Sequence, residues 1–394
     1  MRLMNFGRTM EKSTYFLVTL FSLALGAVRA DEAALDSEST ASNEQVASLR
    51  KQSKGLDVVS GQTHRITTLE QQMQEVYTDT VRDTFGAKVA SARPQLDSYH
   101  LYVSGDVLFW QAFEGGNDYA CSTSTQGPNF QGSSHWLNFD WAWGYRTEFG
   151  YRTSHDSWDL ALHYTWFYDK ADSHVGAPAG GEVVPLFYQF FSGNVGTFSK
   201  SSLRLHFYDG DLALQKSYFL SSEFSLTSLA ALRTTWIAQK AHAFAQFATG
   251  DIPGTISQMG HNHFWGIGPK VGIAPKWFID RNWNVFGQFA GSLLYGEFEV
   301  RAKALENGSI TVHLDDKIHQ IVPTAQATIG FGWEMNAFCD HYHFAVNVAY
   351  EMQYWWRQNQ LISYLPASAS TTILKRMGDD LGLHGLTINA SFDF

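Results

Sequence analysis

The sequence predicts an all-β fold, a transmembrane antiparallel up-and-down β-barrel. Three observations point there. Aromatic residues make up 15% of the 394 residues and charged residues only 17%, below the roughly 25% of a soluble domain. No apolar run of about 18 residues follows the N-terminus, which excludes a bundle of spanning helices. From Tyr99 onward apolar and polar residues alternate with period two over long stretches. A strand with one face on lipid and the other on a lumen requires that alternation.

The chain begins differently. Arg2, Arg8 and Lys12 form a basic head, Tyr15 to Ala27 a short apolar core, and Val28-Arg29-Ala30 a cleavage position. This is the layout of a secretory signal over 1–30, with a mature chain starting at Asp31. A single membrane anchor would need a longer core. Residues 31–60, rich in Ser, Ala, Glu and Gln, read as a spacer. Val59, Ile66, Leu69, Met73, Val76 and Thr80 then recur mostly every three or four positions. That seam predicts a short periplasmic helix or coiled coil over 59–83, within a leader zone of 31–95. An amphipathic helix lying on another surface would show the same seam. Gly86 and Pro94 close the zone, leaving 96–394 for the barrel.

The clearest strand is 341–356. Tyr342, Phe344, Val346, Val348, Tyr350, Met352, Tyr354 and Trp356 share one face, with His343, Asn347, Glu351 and Gln353 on the other. Segments 323–336 and 137–152 repeat the pattern. Such runs exceed the usual 5–6 residues of a soluble strand and satisfy the roughly 9–11 that a tilted membrane strand needs. Ten strands follow: 99–111, 136–152, 157–168, 201–218, 223–240, 262–279, 283–304, 310–337, 341–356 and 381–394. Short turns at 154–156, 220–222, 280–282 and 338–340 alternate with long or hairpin-like loops at 112–135, 169–200, 241–261, 305–309 and 357–380. Bacterial outer-membrane barrels alternate in this way, turns to the periplasm and loops outside. Asp209-Gly210 reads as a further turn or a bulge, and Phe187 to Phe191 before Gly193-Asn194 as a further hairpin. Accepting both gives twelve strands. Asn307-Gly308 reads as the tight tip of a tall hairpin.

The chain ends LTINASFDF, with Leu386, Ile388, Ala390, Phe392 and Phe394 on one face. A closing strand must offer lipid an apolar face and pair with the first strand to remove both edges. Leu386, Ile388, Phe392 and Phe394 are similar to the C-terminal signature that outer-membrane barrels present to their assembly machinery.

This register turns Asp140, Arg146, Glu148, Arg152, Asp159, Arg233, Lys270, Glu334 and Glu351 inward. They are the candidate pore-lining residues, because charges in a lumen must pair or meet water and set ion preference where water passes. The same set also fits a salt-bridged plug. Geometry favours the plug, since barrels of about 8 strands are filled by side chains and open channels belong to about 16–18. The aromatic loop around Phe187, Tyr188, Phe190 and Phe191 is expected to narrow the mouth.

Cys121 falls in an outer loop and Cys339 in a periplasmic turn, so this topology places them on opposite faces of a band about 25 Å tall. A disulfide needs Cα atoms within about 7 Å. The expectation is therefore free thiols or intermolecular links, with Cys121 the better candidate for a link. His261/His263 and His341/His343 each place two rings on one side of a strand, but no third ligand accompanies either pair, so no metal is assigned. Nor is any cofactor. No nucleophile elbow, CxxC or phosphate loop appears, and an enzyme is not expected. A net charge of −10 without a basic stripe excludes nucleic acid as a partner.

Several segments carry a family resemblance: LYVSGDVLFWQA at 101–112, GYRTEFGYR at 144–152, DSWDLALHYTWF at 156–167, HFWGIGPKVGI at 263–273 and GSLLYGEF at 291–298. With the LEQQMQEV helix at 69–76, they resemble the major-outer-membrane-protein-like pore-forming family of Legionella and the environmental Chlamydiae. The resemblance implies an outer-membrane location, passive diffusion of ions and small hydrophilic solutes, and a homotrimeric, disulfide-linked assembly. With only two cysteines, this chain departs from the cysteine-rich chlamydial proteins. The competing expectation is a non-conducting structural or adhesive protein acting through loops 112–135, 169–200 and 357–380.

Overall fold

The computed structural model describes residues 101–393 apart from 126–130, 154–157, 188–194, 222, 250–251, 281, 338–341 and 369–370. The signal segment, the spacer, the helix at 59–83, Cys339, His341 and Phe394 lie outside the described residues. In chain order the strands are β1 (Leu101–Glu114), β2 (Asp118–Thr123), β3 (Gly132–Trp136), β4 (Ala142–Arg152), β5 (Trp158–Gly176), β6 (Glu182–Pro185), β7 (Val195–Phe219) and β8 (Phe224–Thr249). Then follow β9 (Ile252–Phe278), β10 (Trp283–Glu306), β11 (Ser309–Ala337), β12 (Tyr342–Asn359), β13 (Ile362–Ser368), β14 (Thr371–Arg376) and β15 (Asp379–Asp393).

Ten of these close a barrel in the order β1-β15-β12-β11-β10-β9-β8-β7-β5-β4, with β4 back on β1. The first and last strands pair from Tyr102 opposite Asp393 to Glu114 opposite Leu381. Closure satisfies every wall strand on both sides, which a chain in lipid must achieve. The expected count of ten is the observed one, and the twelve-strand reading falls. Asp209-Gly210 is not a turn, because β7 runs through it in unbroken register with β5 and β8.

Other expectations change at the loop end. Residues 241–261, expected as a long or hairpin-like loop, continue β8 and β9 as a hairpin, with Thr249 opposite Ile252. The strand expected from 136 starts at Ala142, because Leu137 and Phe139 leave the wall and bury in the core. Loop 112–135 contributes β2 and β3 to a small sheet of order β3-β2-β6, and loop 357–380 contains the hairpin β13–β14. Asn307 and Gly308, at φ 49° and 83°, make the expected tight tip between β10 and β11. A tight hairpin turn needs positive φ at both centres, which Asn and Gly tolerate.

The strands β7 to β11 are far taller than a membrane. Residues of β9 number 27; at about 3.3 Å each and a tilt of about 40° they stand roughly 68 Å, against an apolar band of about 25 Å. The sequence shows where lipid stops, because the polarity of the two faces inverts along the tall strands β10 and β11. In β10 the outward side chains run Trp283, Phe289, Leu293, Tyr295, then Glu297, Glu299, Arg301 and Lys303. The inward ones run Asn284, Gln288, Ser292, then Leu294, Phe298, Val300, Ala302 and Ala304. In β11 the outward face passes from His313, Asp315, Lys317 and His319 to Ile321, Ile329 and Phe331. The turn-side half therefore meets lipid outside and polar groups inside. The loop-side half is an ordinary water-exposed barrel around an apolar core.

Placing a cation in the lipid-facing belt tests this boundary. Ile329→Arg should lower folding stability by about 2–4 kcal/mol in bilayers, as for Arg near a midplane, whereas Asp315→Arg should change it by less than about 1 kcal/mol. Urea unfolding in liposomes measures both.

Candidate functional site

The candidate site is the lumen, built in two tiers. The turn-side tier is a belt of charges. Asp106 on β1 faces Arg146 on β4, and the guanidinium donates to Asp106 at 3.1 Å and to Glu351 on β12 at 2.8 Å. Glu351 also accepts from Gln326 at 2.8 Å and Gln353 at 2.9 Å. Arg233 on β8 grips Asp209 on β7 with two parallel bonds of 2.9 and 2.8 Å. It donates further to Thr324 and Gln353, both at 3.2 Å. Lys270 on β9 meets Asp211 at 2.5 Å. Glu148 accepts from Ser104 at 3.1 Å and lies 3.8 Å from His163. Asp106, Arg146, Glu148, Asp209, Lys270 and Glu351 border a cavity of about 180 Å³.

Directly toward the loops lies an apolar tier. Trp110, Phe167, Leu205, Phe207, Ile237, Phe264, Leu294, Phe298, Val322 and Trp355 come from the wall strands themselves and are at most 2% exposed. Trp355 meets Phe207 edge-on at 5.5 Å and caps the Arg233 guanidinium at 4.6 Å, joining the tiers. Burying each such side chain stabilises by about 1.5–3 kcal/mol, so the tier is a packed core. From the crown, Tyr119, Leu137, Phe139, Val183 and Phe187 pack onto it. Phe187 thus lies buried under the mouth, while Tyr188, Phe190 and Phe191 fall outside the described residues.

Of the predicted lining residues, Arg146, Glu148, Arg233, Lys270 and Glu351 gather in the belt. Arg152 pairs with Asp159 at 3.0 Å nearer the turn end. Glu334 holds Lys276 at 2.8 Å and lies 3.6 Å from His343. Asp140 is a correction: it is solvent-exposed between β3 and β4, because Leu137 and Phe139 draw that segment out of the wall. Asp106, Asp209 and Asp211 escaped the reading. For Asp209 and Asp211 the signal was present as D-G-D in β7, two acids at spacing two continuing the Leu203, Leu205, Phe207 face. The switch of that face from apolar to acidic looked like a break in the period.

Leu386, Ile388 and Phe392 face outward on β15. Cys121 is half-buried on β2 as a free thiol. His261 and His263 face outward with near-parallel rings 6.4 Å apart, and His343 is tied to Asp393 at 2.6 Å. Among the described residues no set of three His, Cys, Asp or Glu side chains is placed to hold a metal.

The family model described as Legionella pneumophila major outer membrane protein precursor matches residues 94–394. No curated protein matches. Among solved structures, the chain is similar to the outer membrane protease OmpT of Escherichia coli, at 10% identity and TM-score 0.37, over 76% of this chain and 97% of that one. It is also similar to the toluene transporter TodX of Pseudomonas putida, at 7% and 0.29, over 78% and 93%. A FadL homologue of Pseudomonas aeruginosa matches at 9% and 0.23, over 78% and 92%. At these scores the likenesses carry nothing about activity.

Removing one partner of the Arg233–Asp209 pair leaves a buried charge alone. Arg233→Ala should destabilise by about 3–5 kcal/mol, and Arg233→Met with Asp209→Leu should recover most of it. Urea refolding in detergent gives both values; equal losses would disprove the pairing argument.

Proposed function

Because the chain belongs to the family of the Legionella pneumophila major outer membrane protein and resides in the outer membrane, we propose that it is a small-solute channel held shut by its apolar tier. Ions and small hydrophilic solutes enter the charged belt and pass only when that tier parts. The belt carries this reading. Apolar packing of similar volume is often as stable as buried ion pairs, or more stable. A barrel that merely had to be filled therefore gains nothing from Arg146, Arg233 and Lys270. Ionisable side chains at membrane depth mark ion and substrate paths, and apolar constrictions gate by dewetting.

A second reading is a non-conducting structural or adhesive protein acting through its crown. One observation favours it: the apolar tier belongs to the wall strands, so no loop need only swing aside to open a path. No catalytic role is proposed. The partners proposed are outer-membrane lipid around the apolar band, the assembly machinery reading Leu386, Ile388 and Phe392, and two further copies in a homotrimer.

Planar-bilayer recording separates the readings. The wild-type protein should show rare, small, discrete steps. Phe207→Ala with Trp355→Ala thins the tier and should raise open frequency or step size several-fold. A folded double variant as silent as a silent wild type would rule out the channel.

A further inference from the structure

On the outer surface of the wall, loop-side of the lipid boundary, the strand ladder sets like charges face to face. Lys170 on β5 is directly opposite Arg204 on β7, and Arg204 is directly opposite Lys240 on β8. Lys240 in turn faces His261 on β9. Lys170, Arg204 and Lys240 are exposed and His261 is half-buried. His206 and His242 stand diagonally across from the Arg204–Lys240 pair. Like charges directly opposite one another in a sheet are destabilising. The chain has 38 acidic residues against 28 Lys and Arg, so composition does not force cations together here.

The sectors on either side balance their own charges. On β10 and β11, Arg301 meets Asp315 at 3.2 Å and Glu299 at 3.6 Å. Lys317 meets Glu297 at 3.0 Å and Glu299 at 3.1 Å. On β5, Asp172, diagonal to Arg204, is ion-paired to Lys170. Between these sectors the register supplies no acid. The residues directly and diagonally opposite Lys240 are Arg204, Ser202 and His206 on β7, and His261, Met259 and His263 on β9. Arg204 and Lys240 therefore form a positive centre on the wall.

Its position relative to the membrane says what it meets. Trp166, Tyr208, Trp236 and Trp265 pair in one row across β5, β7, β8 and β9, as an interfacial aromatic girdle does. On each strand the cation row lies four residues beyond the aromatic row. That is about 13 Å along the strand and roughly 10 Å in height at a tilt of about 40°. A headgroup layer is about 5–8 Å thick, and Lys and Arg lay their stems along apolar surface to set their heads in it. The Arg fork matches phosphate bidentately, and Lys adds a compact charge. We propose that Arg204 and Lys240 hold the phosphate of a phosphorylated lipid of the outer leaflet. Its acyl chains run down over Trp236 and Trp265 toward the exposed Leu232 and Val271. That apolar continuation selects a lipid over a free anion. The phosphate turns one repulsion into two attractions and fixes a lipid to one side of the barrel. This inference does not depend on conduction.

Native mass spectrometry of the refolded full chain in neutral detergent, titrated with dioctanoyl phosphatidic acid, tests it. Dioctanoylglycerol and inorganic phosphate are the comparisons. One phosphatidic acid per chain should bind about tenfold or more tighter than either, because charge-assisted bonds and apolar contact act together. Arg204→Gln with Lys240→Gln should weaken phosphatidic acid about tenfold or more and leave dioctanoylglycerol unchanged. Lys317→Gln, in the self-balanced sector, should bind as wild type. Dioctanoylglycerol binding as tightly would mean apolar contact alone, and inorganic phosphate binding as tightly would mean a free-anion site; either overturns the proposal. So does undiminished phosphatidic acid binding in the folded double variant. Heat-modifiable gel migration reports folding; if the double variant does not fold, the wild-type comparison of the three probes decides.

Discussion

Closure of the backbone ring governs everything else in this molecule. A strand in lipid has no water to take its unpaired N–H and C=O groups, each of which would cost several kcal/mol. The β1–β15 pairing, from Tyr102 opposite Asp393 to Glu114 opposite Leu381, removes the last open edges. Closing at ten strands fixes the diameter. At that diameter inward side chains reach one another across the lumen. Arg146 spans from β4 to Glu351 on β12, and Arg233 from β8 to Gln353 on the same strand. The narrow lumen therefore compels its charges to pair.

The same ring serves two solvents. Below Tyr295 and Ile321 the outside is lipid, so apolar residues face out and polar ones in. Beyond them water bathes the outside, and the apolar residues turn inward to make a core. Nothing in the backbone changes at the boundary, since β10 and β11 pair continuously through it. The inversion is written only in side chains. It explains why the lumen is wet and charged where the barrel crosses lipid and dry where it does not. On the proposed channel reading, a solute would cross both regimes, and the apolar tier would set the resistance.

The crown follows from the height of the walls. Strands that rise this far leave a rim well clear of the lipid headgroups, so the loops can fold into the barrel. Tyr119, Phe139 and Phe187 insert among wall residues, and the small sheet β3-β2-β6 forms above them. Cys121 lies in that sheet, half-buried on its middle strand β2.

The two-residue period of 323–336 and 341–356, the spacing of the turns and the apolar face of Leu386, Ile388 and Phe392 were legible by themselves. They fixed class and the closing strand and left the strand number at ten or twelve, because lipid acts on each strand independently and leaves a local pattern. Most of the inward charges were legible for the same reason, by parity within one strand. What the sequence left open depends on contacts between strands distant in the chain. The pairing of Arg233 with Asp209 and the row Lys170, Arg204, Lys240 and His261 bring together residues from separate strands. Asp140 was misplaced because the departure of 137–141 from the wall is decided by the core it joins. Where polarity inverts, as at Phe207 to Asp209, a local period cannot distinguish a turn from a change of solvent; only the assembled ring, which sets what lies inside and outside at each height, decides it.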